Sequence, residues 1–310
     1  MKASVICSLE NQGFSGFFYP APCPDGRCMV ILAGDLGNDF LSQAFARWFT
    51  KHQNISALCL DMVQDPSQAP GVSLWNLNTV TQAVSWLHSR DYRKLGICGI
   101  SMQAVIALSA AARIPDLSLA IGFAPCDYVP WGFQKGPLGK SKNAEFPTGK
   151  SLLTWKCQPR PFQEAGMEKE EYWRLFQSAT REHGEMYSKA VFDRSEELHR
   201  ISPDAFIPAE NIRGPILLIG AEDDSMWNST KYILRLAHRL REKEFMFPCK
   251  CFTYAHGTHL LLPQRMVTDA LPVVGGLVSL LFQGGRRHPF QCAAARKSLD
   301  RKLSSYLDCW

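Results

Sequence analysis

Six short apolar runs punctuate the chain: "CMVILAG" (28–34), "ISALCLD" (55–61), "KLGICGI" (94–100), "LSLAIGFAP" (117–125), "PILLIGA" (215–221) and "CKCFTYA" (249–255). Most are nearly continuous rather than alternating, the pattern of strands covered on both faces. Between them lie segments with apolar residues at helical spacing: "DFLSQAFARWFTKH" (39–52), "LWNLNTVTQAVSWLHSR" (74–90), "MQAVIALSAAAR" (102–113) and "STKYILRLAHRLREK" (229–243). This alternation predicts an α/β fold, one mostly parallel sheet with helices on both faces. The opening segments "ASVICSL" and "GFSGFFY" add an antiparallel hairpin at one edge.

The rhythm breaks between residues 126 and 214. The chain there turns rich in Pro, Gly, Lys and aromatics, then gives two charged helical stretches, "EKEEYWRLFQSATREHG" (168–184) and "VFDRSEELHR" (191–200). An insertion too polar for core and too patterned for a linker reads as a helical cap on a single domain spanning 1–310. After residue 263 two closing helices are expected, over 266–283 and 289–308, separated by "GGRRHP".

Composition narrows the function classes. The 310 residues are 46% hydrophobic and 20% charged, which supports a sizeable core. The net charge of +5 is scattered, without a basic block, and argues against nucleic-acid binding. Eleven cysteines show no CxxC pair or zinc spacing, so reduced thiols in the cytoplasm and no metal or cofactor are expected. The most apolar stretch, "LPVVGGLVSLLF" (271–282), is shorter than the roughly 20 residues of a membrane span.

Three loops at expected strand ends carry candidate chemistry, because an α/β sheet places its ligands beyond the carboxyl ends of its strands. After the third parallel strand comes "GIS", in which Gly99 and Ser101 match the first half of the G-x-S-x-G nucleophile elbow. Gln103 stands where the second glycine belongs, and its side chain calls for extra room between helix and strand. After "PILLIG" come Asp223 and Asp224, and after "CKCFTYA" come His256 and His259. Serine, then acid, then histidine is the chain order of this hydrolase motif, in which the imidazole takes the serine proton and the acid orients the imidazole. Oxyanion donors are expected from the backbone N–H of Met102 and of Asp35 in "AGDLGN", a loop that otherwise reads as a turn with Asn38 or Asp39 capping the next helix. Cys98, inside the strand, reads as core.

The runs "AVSWLHSRDYRKLGICGIS", "RGPILLIGAEDDSMWNS" and "YAHGTHLLLP" make the chain resemble a known family. This is the α/β-hydrolase domain shared by acyl-CoA thioesterases and bile-acid-CoA:amino-acid N-acyltransferase, in its shorter bacterial-type form. The resemblance runs from about residue 28 to the C-terminus. It implies an α/β-hydrolase fold and places the nucleophile at Ser101, the acid at Asp224 through Trp227 and Ser229, and the base at His259. The mammalian members carry a β-sandwich domain ahead of this one. In this family serine accompanies hydrolysis and cysteine accompanies transfer to an amino acid. The expectation is therefore a serine hydrolase of acyl-CoA and fatty-acid metabolism, acting on a small acyl thioester. A carboxylesterase or acyltransferase is the nearest variant, and a non-catalytic binding protein, suggested by Gln103, the alternative of another class. The cap aromatics Trp131, Phe133, Trp155, Phe162, Tyr172 and Trp173 read either as an acyl pocket or as core between cap and sheet.

Overall fold

The computed structural model describes residues 3–33, 39–62, 71–134, 146–271 and 280–310. All six apolar runs form strands of one eight-stranded sheet. In chain order the elements leading into it are β1 (Val5–Cys7), α1 (Leu9–Gln12), β2 (Gly16–Tyr19), β3 (Arg27–Leu32), α2 (Phe40–His52) and β4 (Ser56–Leu60). After short strands β5 (Gly71–Val72) and β6 (Trp75–Asn76) come α3 (Asn78–His88), β7 (Lys94–Ile100), α4 (Met102–Ala111) and β8 (Leu117–Phe123). Strands β9 to β12 and helices α5 and α6 lie in the insertion, as Trp131–Gln134, Phe146–Ser151, Leu153–Trp155, Gln158–Pro159, Lys169–His183 and Lys189–Leu198. The sheet resumes with β13 (Ile216–Ala221), α7 (Ser229–Glu242) and β14 (Cys249–Tyr254), and the chain closes with α8 (Gln264–Ala270), α9 (Gln283–Arg287) and α10 (Pro289–Leu307).

The sheet order is β1-β2-β4-β3-β7-β8-β13-β14. β3, β4, β7, β8, β13 and β14 run parallel, and β1–β2 is the expected antiparallel edge hairpin. The apolar runs are continuous because successive side chains enter two different cores. Val30, Leu58 and Leu218 pack under α3, α4 and α7, against Val84, Leu108 and Leu236. Met29, Cys59 and Leu217 pack under α2, α8 and α10, against Phe45, Met266 and Leu303.

Residues between β8 and β13 separate strands that are paired neighbours, with Ile216 beside Ala120. The insertion is tied down from two directions. β9 pairs with β5 and β10, while β11 pairs with β6 and β12, giving two small three-stranded sheets. Asp127, fully buried at its start, accepts from Arg235 of α7 at 2.6 and 2.8 Å, and Arg235 also donates to Glu196 at 3.3 Å. Of the cap aromatics, Trp131 and Tyr172 are core, Trp131 stacking on Phe192 at 4.9 Å; Trp155, Phe162 and Trp173 pack against that core, and the Phe133 side chain lies outside the described residues.

Two expected boundaries move. The segment beginning at Leu74 does not start as helix: Leu74 has φ +56° and Trp75 N donates to Leu152 O at 2.9 Å, so strand pairing wins and α3 begins at Asn78. The closing helix expected over 266–283 ends at Ala270, because Leu271 precedes a proline and leaves the helical region at φ −135°, ψ 75°. Residues 272–279, most of the apolar stretch, lie outside the described residues. Among the described residues no helix is long and apolar enough to cross a membrane.

Candidate active site

β7 delivers Ser101 to the carboxyl edge of the sheet, and the turn into α4 holds it at φ 61°, ψ −131°. A non-glycine residue at positive φ is strained by about 1–3 kcal/mol, so the surrounding contacts must enforce it. They do. Ser101 N donates to Phe123 O at 2.8 Å, and Ser101 O accepts from Ala104 N at 3.0 Å.

The tight approach that the motif assigns to its second glycine falls here on the first. A Cβ on Gly99 would sit 2.3 Å from the carbonyl oxygen of Gln103 and 2.7 Å from Ala104 N. Gln103 itself is buried, 9% exposed, and the turn into α4 is sharp with that side chain in place. The missing Cβ at residue 99 is what lets helix and strand meet at this point. Gly99→Ala must therefore push backbone against backbone. The expected cost is about 2–3 kcal/mol, measured as a loss of unfolding free energy in urea, with α4 displaced from β7.

Asp224 follows β13 in the loop before α7. Its Oδ1 accepts from Met226 N at 2.9 Å and Trp227 N at 3.4 Å, which fixes the carboxylate on its own loop. Ser229, the first residue of α7, ties that loop back to the strand: its Oγ accepts from Ala221 N at 3.2 Å. Asn228 caps the helix by accepting from Lys231 N at 3.1 Å. Trp227 is buried, donates its indole N–H to Ala124 O at 3.0 Å, and turns its ring edge-on to His259 with centroids 5.3 Å apart. The serine and tryptophan that fix the acid's register in the sequence thus fix its position in space.

His259 arrives after β14 and is 6% exposed. Its Nδ1 lies 2.9 and 3.0 Å from the two Asp224 oxygens, and its Nε2 lies 2.8 Å from Ser101 Oγ. The structure thereby brings Ser101, His259 and Asp224 into one hydrogen-bonded line. The other acid and histidine form a pair of their own: His256 Nδ1 is 3.1 Å from Asp223 Oδ2, and both side chains are partly exposed.

Met102 N–H is the first of α4, with no turn before it to supply an acceptor, and it sits at the positive end of the helix dipole beside Ser101. Asp35 lies outside the described residues, as does Asn38; Asp39 caps α2, accepting from Ser42 N at 2.8 Å. Cys98 is wholly buried and burial pushes its thiol well up, which leaves it core as read. A cavity of about 570 Å³ in the insertion is lined by Trp131, Phe162, Met167, Leu198 and three glutamates, and Ser101 is not among its walls.

Sequence reasoning missed the Asp127–Arg235 tie. Its signal was present as a basic stripe, Lys231, Arg235 and Arg239, at one-turn spacing on α7. It also missed His288, whose ring stacks on His256 with centroids 3.9 Å apart.

The model of the BAAT / acyl-CoA thioester hydrolase C-terminal family matches residues 76–266, more than half of the chain. No curated protein matches it in sequence. Among solved structures, an esterase of Pyrococcus furiosus superposes with a TM-score of 0.52 at 12% identity, covering 100% of this chain and 96% of its own. The esterase EstE5, from a crystal soaked with p-nitrophenyl butyrate, gives 0.50 at 11% identity over 99% of this chain and 83% of its own. These likenesses show the α/β-hydrolase fold.

Proposed function

This chain belongs to the BAAT / acyl-CoA thioester hydrolase C-terminal family, and from that premise we propose that it hydrolyses acyl thioesters, acyl-CoA above all, through Ser101, His259 and Asp224. The observation that carries the reading is the 2.8 Å contact between His259 Nε2 and Ser101 Oγ, with Asp224 behind the imidazole. That geometry, kept on a strained Ser101, speaks against the non-catalytic reading that Gln103 suggested.

The steps follow from the contacts. A serine hydroxyl is a weak nucleophile until a base takes its proton. His259 Nε2 accepts that proton as Ser101 Oγ bonds to the thioester carbon, and the carbonyl oxygen gains the negative charge. Met102 N–H donates to this oxyanion, with a second donor proposed from the Asp35 loop. Asp224 accepts the Nδ1–H, holds the tautomer and stabilises the imidazolium. The carbon–sulfur bond then breaks, and His259 returns its proton to the departing thiolate. Water, losing a proton to the same Nε2, attacks the acyl-enzyme, and the acid leaves as Ser101 Oγ regains its proton. Serine accompanies hydrolysis in the family that the chain resembles, so water is the acceptor in this reading, and residues 126–214 act as the cap over the acyl chain.

Acyl-CoA and p-nitrophenyl esters of matched chain length separate the thioesterase from the esterase form of this reading. Expected is a kcat/KM at least about tenfold higher for the thioester, a transition-state preference of about 1.4 kcal/mol. A clear preference for the ester would overturn the thioesterase assignment and leave a carboxylesterase. Release of an acyl-amino acid in place of free acid, with amino acids present, would make it an acyltransferase.

A further inference from the structure

Asp223 and His256 sit beside the proposed catalytic pair in sequence yet serve no step of the reaction. Together with His288 they place one carboxylate oxygen and two imidazole nitrogens within 4.8 Å of one another. Each comes from a different segment: the loop after β13, the loop after β14, and the junction of α9 with α10, where His288 is the residue before Pro289. Asp223 is held there by close packing, since a Cβ on Gly284 would stand 2.7 Å from the Asp223 Cβ. The cluster opens on a cavity of about 210 Å³ whose wall includes Asp223 and His288, the further carboxylates Glu185, Glu222 and Asp224, and the cations Lys189 and Arg287.

We propose that Asp223, His256 and His288 form a binding site for a divalent transition-metal ion of the zinc type. Two imidazoles and one carboxylate are a borderline donor set that suits Zn²⁺, Co²⁺, Ni²⁺ or Cu²⁺ and not the all-oxygen shells of Ca²⁺ or Mg²⁺. The contacts around the cluster fit this. His256 Nδ1 lies at hydrogen-bond distance, 3.1 Å, from Asp223 Oδ2, and a cation entering between them takes the place of the bridging N–H proton. The His288 ring stacks over His256 with centroids 3.9 Å apart and 27° between the planes, which brings the two imidazoles together, and one ring must turn out of the stack for both in-plane lone pairs to meet at one ion.

Tetrahedral bonds of about 2.1 Å need donor atoms about 3.4 Å apart, so closure asks the donors, within 4.8 Å of one another, to approach by up to about 1.4 Å as the stacked rings turn toward the ion. All three side chains are only partly buried, and the adjustment falls on the two imidazoles, the Asp223 Cβ being held by its packing on Gly284. Three protein donors leave the fourth position to water or to a carboxylate of the cavity wall such as Glu222, Glu185 Oε2 already accepting from Gln283 N. The ion would clamp α10 to the loops that carry Asp224 and His259, a stabilising role that does not depend on the hydrolase reading. The donors are far apart along the chain, which is why no metal-ligand spacing appears in the sequence.

Chelator-treated full-length protein titrated with CoCl2, and separately with ZnCl2, tests the site. Expected is one Co²⁺ per chain, with the visible d–d absorption of a four-coordinate ion and no thiolate-to-cobalt charge-transfer band. Zn²⁺ at 100 times its Kd should raise the melting temperature by about 5 °C. His288→Gln, His256→Gln and Asp223→Asn should each weaken Zn²⁺ binding at least about tenfold while melting normally in chelator. Absence of binding overturns the proposal. So does binding that survives all three substitutions, or a cobalt spectrum dominated by thiolate, which would assign the metal to the cysteines.

Discussion

Replacing Ser101 with Ala is expected to lower kcat on acyl-CoA by about 10⁴-fold or more and to abolish labelling by a fluorophosphonate probe, with KM little changed. The Ser101 side chain caps nothing in α4, and its described role is the bond to His259. The loss should therefore be chemical, and unfolding free energy should stay within about 0.5 kcal/mol. Ser101→Gly sharpens the test. It loses the same hydroxyl but relieves the positive φ, so it should be equally inactive and more stable than the alanine variant by about 1 kcal/mol. Wild-type protein that is folded, unlabelled by the probe and inactive on thioesters and esters would be a binding protein on this fold, the reading that Gln103 first suggested.

Much of the sheet was legible because it is buried on both faces. Runs such as "PILLIGA" must be apolar at every position to feed two cores, and few other structures make that demand at such short length. α7 and α2 were legible for the opposite reason, each pairing one apolar face with a polar one. The boundaries that failed were decided by partners far away in the chain. Leu152 O recruits Trp75 into a strand, and no window around residue 75 contains that information.

The candidate site divides in the same way. Gly99 and Ser101 are neighbours on one turn, so the strained elbow could be read locally. Gln103 drew attention because the motif assigns a close approach to a glycine after the serine, whereas here the close approach is set by Gly99. The choice between Asp223 and Asp224 rested on the resemblance, and the two carboxylates differ in how their loop is held. Trp227 and Ser229 anchor the loop at Ala124 and Ala221, and that anchoring turns only Asp224 inward. His288 was illegible, since nothing in its own segment points to residues 223 and 256.

Paired substitutions should separate the two acid–histidine pairs by a wide margin. Asp224→Asn is expected to cut kcat about 10⁴-fold, because an amide can donate to His259 Nδ1 and so favour the tautomer that cannot take the serine proton. His259→Ala should cost at least as much, since it removes the base itself. Combining either with Ser101→Ala should add little, because the three groups act as one unit. Asp223→Asn and His256→Ala, assayed in chelator, should leave kcat within a few-fold of wild type: their contact is with each other, on a partly exposed edge, and not with Ser101. Steady-state kinetics on one acyl-CoA, with melting curves to exclude unfolding, reads all of these. The opposite pattern, activity kept without Asp224 and His259 but lost without Asp223 and His256, would transfer the catalytic roles to the outer pair. It would also require the 2.8 Å contact at Ser101 to be rebuilt when substrate binds.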